Sequence, residues 1–180
     1  MMCKFLASCF LFVTAICLAS AASPKTSLKT QEKPKFEIEG GRLKLPQPIA
    51  FATDSDKLLP ESEPALNHIK AFLEDKTYIT LLRIEGHSDQ QGQATVSQTL
   101  TEKRALAVAR WLVAHGIDCK RLIAVGFGST KPVAANDSPA GRAQNRRIEI
   151  AMAELRGKAI GGMPTDGGGK IAGPVCPENK

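Results

Sequence analysis

The chain predicts an α/β sandwich of the α+β kind, with two main helices packed on one mixed sheet. Two observations carry that expectation. Short segments with apolar residues at every second position, the spacing of a half-buried strand, alternate with two long stretches whose apolar residues recur at three and four, the spacing of a helix lying on a sheet. At 180 residues there is also room for one ordinary domain plus tails, so these elements share a single core.

Phe36-Glu37-Ile38-Glu39 alternates apolar and charged residues, Gly40-Gly41 makes a turn, and Arg42-Leu43-Lys44-Leu45 alternates again. This is a hairpin of two short edge strands. Ile49 to Phe51 continues as strand, with Pro46 and Pro48 marking a break or an edge position. Ser62 caps the first helix, Pro64 sits in its opening turn, and Leu66, Ile69 and Leu73 form its buried stripe. Tyr78 to Glu85 reads as a strand with Leu82 and Ile84 on one face. Gln93 to His115 reads as the second helix, stopped at Gly116, a natural C-cap residue. Arg121 to Phe127 is a largely apolar strand, and Ile148, Ile150 and Met152 alternate in a last one. From Arg156 onward Gly and Pro dominate without core periodicity. The domain is therefore bounded at 36–155, and 156–180 is expected to be a flexible tail.

The N-terminal 22 residues read as a signal peptide: Lys4 supplies the positive charge, Phe5 to Leu18 is apolar, and Ala19 to Ala22 offers small residues for cleavage. The apolar run falls short of the ~20 residues of a spanning anchor. Leu6-Ala7-Ser8-Cys9 spells a lipobox, but most of the apolar run follows Cys9, which argues against lipidation there. Residues 23–35, rich in Lys, Ser, Thr and Gln, read as a linker. Once Cys3, Cys9 and Cys17 leave with the leader, Cys119 and Cys176 remain. In an oxidising compartment they are free to form one disulfide or to stay as two thiols. The net charge of +6 is dispersed, and one Trp and one Tyr provide no aromatic ladder, so nucleic-acid binding is not expected.

One residue breaks the pattern of the second helix. With Arg104 at zero on the helical wheel, Leu100 and Val108 lie roughly 40° to either side, Trp111 about 20° and Ala107 about 60° away. A guanidinium on so apolar a face must meet a carboxylate or an anionic ligand, open onto a cleft, or snorkel at the core edge.

Around it stand four blocks: Ile49-Ala50-Phe51 through Asp56-Lys57-Leu58; Ile84-Glu85-Gly86-His87-Ser88-Asp89; Leu100-Thr101-Glu102-Lys103-Arg104-Ala105 with Ala107-Val108; and Gly126-Phe127-Gly128, Lys131-Pro132 and Gly141 through Glu149. In order and spacing they resemble the OmpA-like C-terminal domain, the peptidoglycan-binding module of outer-membrane protein A, Pal lipoproteins and MotB. The resemblance covers roughly residues 45 to 153. It implies the two-layer sandwich and a peptidoglycan partner, in a periplasmic protein compatible with outer-membrane association.

Asp89 follows a strand end and Arg104 lies in the next helix, with a short loop between. An acid and a base at one mouth suit a zwitterionic ligand, the carboxylate taking an ammonium and the guanidinium a carboxylate. The resemblance implies that Asp89 and Arg104 clasp the diaminopimelate of the stem peptide; the alternative is a structural ion pair between them. It places Arg146 near the ligand with Asn145 beside it, and Thr53 and Ser55 on the opposite rim. Ser97, about 20° from Arg104 on the wheel, stands where the family often has Asn and offers one hydroxyl instead of an amide. His87, Ser88 and Asp89 are the residue types of a hydrolase triad, but adjacent strand residues point alternately and cannot converge. No elbow, metal-binding helix motif or phosphate loop accompanies them. The expectation is a non-enzymatic module without cofactor or metal, against an alternative that binds another periplasmic protein and not the wall.

Overall fold

The structure, a computed structural model, describes residues 35–177. The signal peptide of residues 1–22 and almost all of the 23–35 linker lie outside the described residues. The hairpin forms as β1 (Ile38–Glu39) and β2 (Arg42–Leu43). β2 pairs antiparallel with β5 (Ile148–Leu155), and β5 pairs antiparallel with β3 (Ile79–Gly86). β4 (Leu122–Gly126) runs parallel to β3, which requires a crossover between them, and α2 (Ala94–Ala114) supplies it. The sheet order is β1-β2-β5-β3-β4-β7, with β6 (Lys158–Ala159) on β5 and β7 (Lys170–Ile171) closing the β4 edge.

Period-two alternation places Leu82 and Ile84 of β3, Leu122 and Ala124 of β4 and Ile150 of β5 against the helices. From α1 (Glu63–Asp75) come Ala65, Leu66, Ile69, Phe72 and Leu73; from α2 come Ala105, Val108, Ala109 and Leu112. Each large apolar side chain buried this way contributes on the order of 1.5–3 kcal/mol. Two helices on one mixed sheet is the expected architecture. A short third helix, α3 (Pro139–Asn145), also forms: Ser138 Oγ accepts from Gly141 N at 3.1 Å, and Pro139 pre-sets the first turn.

Two local expectations change. Ile49 to Phe51 is not a strand; it makes a single bridge, Phe51 with Leu58. The Ser62 hydroxyl does not cap α1. It accepts from Ala50 N and donates to Ala50 O, both at 2.8 Å, so it satisfies the backbone that strand pairing would otherwise have engaged.

The tail corrects a third. The sequence predicts a flexible tail over 156–180, yet within its described part, 156–177, β6 and β7 pair with the sheet, Ala172 N donates to Ala124 O at 2.9 Å, and Cys119 and Cys176 form a disulfide with a Cα separation of 5.0 Å. The glycines serve close approach here, not freedom. A side chain at Gly167 would strike the Arg83 guanidinium, and one at Gly169 would strike Val125 and Phe127, so the chain lies flat on the sheet face opposite the helices. The bond spans 57 residues, worth up to about 4 kcal/mol by loop entropy. Thiol counting on the unreduced, denatured chain from Ser23 onward should find no reactive thiol, and reduction should lower the melting temperature. Two thiols per chain would reject the bond.

Candidate functional site

The Gly-His-Ser-Asp segment leaves β3 under tight backbone control. A Cβ at Gly86 would collide with the Thr101 carbonyl oxygen, so only glycine lets α2 lie this close to the strand end. His87 N donates to Arg147 O at 3.0 Å, and Ser88 N donates to Gly128 O at 2.8 Å. Gly128 N donates in turn to Thr101 Oγ1 at 3.1 Å. The segment is thus fixed between the end of β4 and the start of β5 before it reaches Asp89.

Asp89 is 7 % exposed. Its Oδ1 accepts from Gln91 N at 3.0 Å and its Oδ2 from Arg146 Nη1 at 2.5 Å. The structural ion pair therefore joins Asp89 to Arg146, not to Arg104. Arg146 follows α3 and keeps its side chain 47 % exposed.

Arg104 flanks the buried stripe of α2, whose members are Thr101, Ala105, Val108, Ala109 and Leu112. Its Nε donates to Ser55 O at 2.9 Å, and its Cζ lies 5.1 Å from the Phe51 ring centroid, a cation–π contact. Burial holds its pKa below the ordinary value. Arg146 pushes the same way, while Asp54 and Asp56 oppose. Arg104, Arg146 and Arg147 meet along a narrow cleft of about 20 Å³, with Phe51 and Thr101 in its walls.

The remaining expected residues divide. Ser55 contributes its carbonyl to Arg104, while its hydroxyl accepts from Lys57 N at 3.1 Å. Thr53 is exposed in the same loop, and Ser97 is half-buried; neither lines the cleft. Asn145 closes a loop. It is fully buried, its Oδ1 accepting from Val133 N and Ala134 N and its Nδ2 donating to Ala134 O and Asn136 Oδ1, so it is the pin of the 133–136 loop. Arg146 and Arg147 diverge in their pairing, the first to Asp89 and the second to Glu149, where Arg147 Nε donates at 2.6 Å.

A second polar cluster was missed. Arg83, Glu85 and His87 share the sheet face opposite the helices, beside Glu149 and Arg42. Arg83 Nε donates to Glu85 Oε1 at 2.6 Å and Arg83 Nη1 to Thr165 O of the tail at 2.8 Å. Its signal was the i, i+2, i+4 run of charged residues on a strand whose other face is apolar. Glu85, His87 and Glu149 bring ligand-type atoms within 4.8 Å of one another. Three guanidiniums already neutralise these two carboxylates, however, and Arg42 Nε sits 2.5 Å from Glu149 Oε2, where a cation would bind. The cluster is a charge network, unsuited to a metal. His87 stacks on Phe127 at 5.2 Å and approaches Glu85, whereas Asp89 bonds Arg146, so the two form no catalytic relay.

A model described as the OmpA family matches residues 50–146. The peptidoglycan-binding protein ArfA of Mycobacterium tuberculosis is 37 % identical over 105 residues, covering 58 % of this chain and 32 % of that protein. The outer-membrane lipoprotein YfiB of Pseudomonas aeruginosa is 32 % identical over 151 residues, covering 79 % of this chain and 89 % of that one. Among solved structures, the peptidoglycan-associated lipoprotein from Burkholderia pseudomallei superposes with a TM-score of 0.52 at 30 % identity, over 57 % of this chain and 86 % of that one. Several relatives are longer: the chain spans 16 to 51 % of five curated proteins that it matches. With more than half of its residues matched and the same layered architecture, the chain belongs to the OmpA family.

Proposed function

We propose that this domain binds peptidoglycan non-covalently in the cell envelope, holding the zwitterionic end of a stem-peptide diaminopimelate between Asp89 and Arg104. The observation that carries the reading is the convergence of Arg104 and Arg146 in one cleft, with the buried carboxylate of Asp89 bonded to Arg146. Asp89 is complementary to the ligand's ammonium and Arg104 to its carboxylate. Relatives whose names state peptidoglycan binding or peptidoglycan association support the ligand class, and outer-membrane lipoproteins among them support an envelope location. The net charge of +6 favours an anionic polymer. The leader read in residues 1–22 supplies the export that this location needs. No helix among the described residues is long and apolar enough to cross a membrane.

Retention on purified sacculi, with competition by a diaminopimelate-containing muropeptide, tests the reading. Arg104→Leu should separate binding from folding. The substitution extends the apolar wall beside Phe51 and costs one bond to the Ser55 carbonyl in a half-buried loop, so stability should change by no more than about 1 kcal/mol. Loss of a partly buried charged contact costs about 2–5 kcal/mol, so retention should fall by a factor of roughly 30 or more. Retention indifferent both to the muropeptide and to Arg104→Leu would remove the site. A large fall in melting temperature would instead make Arg104 a structural residue.

A further inference from the structure

We propose that the cleft selects diaminopimelate whose carboxyl beside the free amine is ionised over the amidated form, and that Arg146 makes the distinction by exchanging Asp89 for that carboxylate. The inference rests on the peptidoglycan reading and goes one step past it. Asp89 is 7 % exposed, and both of its oxygens are engaged, one by the Gln91 amide and the other by Arg146. A ligand ammonium reaches this carboxylate by taking the place of Arg146. That side chain is able to yield: it is 47 % exposed and projects from the residue that ends α3.

Where it goes is set by its neighbours. Arg104 lines the same cleft and keeps its Nε on the Ser55 carbonyl. Arg147 is already matched by Glu149. A displaced Arg146 beside Arg104 therefore brings two guanidiniums together, offset by the exposed carboxylates of Asp54 and Asp56 that act on Arg104. A free carboxylate on the carbon that carries the ammonium resolves this, presenting two acceptor oxygens to the two guanidiniums. Charge counting gives the same answer. Asp89, Arg104 and Arg146 together carry +1; a zwitterionic end group leaves that unchanged, and an amidated one raises it to +2 in a half-buried space. The amide also turns an NH2 donor toward groups that only donate. The amide keeps one acceptor oxygen, enough for one guanidinium, so the other is left as an unpaired donor and the charge attraction is lost as well.

Calorimetric titration with two muropeptides that differ only in this amidation tests the proposal, on the wild type and on Arg146→Gln. The wild type should prefer the free acid by about tenfold or more. In the variant the preference should fall several-fold, Arg104 retaining the remainder through the same carboxylate. Equal affinity of the wild type for both muropeptides overturns the inference and leaves peptidoglycan binding intact. A preference that survives undiminished in Arg146→Gln overturns the role of Arg146. Failure of the wild type to bind either one overturns the peptidoglycan reading, and the inference with it.

Discussion

Asp89→Ala is expected to abolish retention on sacculi while the domain stays folded. The carboxylate is buried and accepts one backbone and one side-chain hydrogen bond. Its removal frees Arg146, but that side chain is half in solvent and is rehydrated at little cost. The stability loss should be about 1 kcal/mol, the worth of the bond to Gln91 N. Binding suffers far more. The ligand ammonium loses the Asp89 countercharge beside a cleft lined by the guanidiniums of Arg104, Arg146 and Arg147, which repel it. Truncating one partner of a buried charge pair costs about 2–5 kcal/mol, or roughly 30-fold to several thousandfold in affinity. Such a loss would leave little of a weak carbohydrate-peptide interaction. Undiminished retention by this variant, checked for an unchanged melting temperature, would remove Asp89 from the site.

The parts of the fold legible in the chain are those where a period meets a burial pattern. Leu66, Ile69 and Leu73 mark α1, and Leu82 with Ile84 and Ile150 marks the sheet face beneath it, because each buries its apolar set against one neighbour. Tertiary partners hide the rest. Ser62 looks like a cap, but the oxygen atom that could cap α1 is occupied by Ala50 from a distant segment. The Gly-rich stretch after Arg156 looks like disorder, because composition cannot show that Arg83, Val125 and Phe127 lie beneath those glycines.

The same division runs through the site. Asp89 and Arg104 stood out as charged residues at a strand end and on an apolar helix face, and the cleft gathers both regions. The alternative, a structural ion pair between these two, gives way to one between Asp89 and Arg146. The short loop between them brings Arg104 toward Asp89, but nearness in sequence is blind to Arg146, which arrives 57 residues after Asp89 and bonds its carboxylate. The family resemblance places Asn145 beside Arg146. Its amide is the right chemistry for closing a loop whose backbone groups would otherwise be orphaned, and that is its use.

The largest effect on stability is expected at Glu85, which faces away from the cleft. Glu85 is fully buried, with Arg83 Nε at 2.6 Å, His87 Nε2 at 3.5 Å and Arg42 Nη2 at 3.6 Å. Burial alone would raise its pKa. His87, Arg83 and Arg42 outweigh burial and hold the carboxyl at about 2, against an ordinary 4.5. Because the folded value lies below the unfolded one, the stabilisation is fully present above pH ~4.5 and is lost as pH falls from there toward 2. The amount is about 3 kcal/mol, and Glu149, whose pKa is also lowered, adds in the same direction. Glu85→Gln keeps the shape and removes the charge. Arg83, whose side chain is 9 % exposed, then stays buried with only the Thr165 carbonyl as an acceptor. Breaking a buried pair this way costs about 3–5 kcal/mol, a large share of the 5–15 kcal/mol typical of a domain. Urea denaturation of wild type and variant between pH 2 and 7 measures both effects. The variant should be several kcal/mol less stable at pH 7, and the two curves should converge as the pH approaches 2. A constant gap across that range would mean that the Glu85 charge does not stabilise the fold and that the variant fails through packing alone.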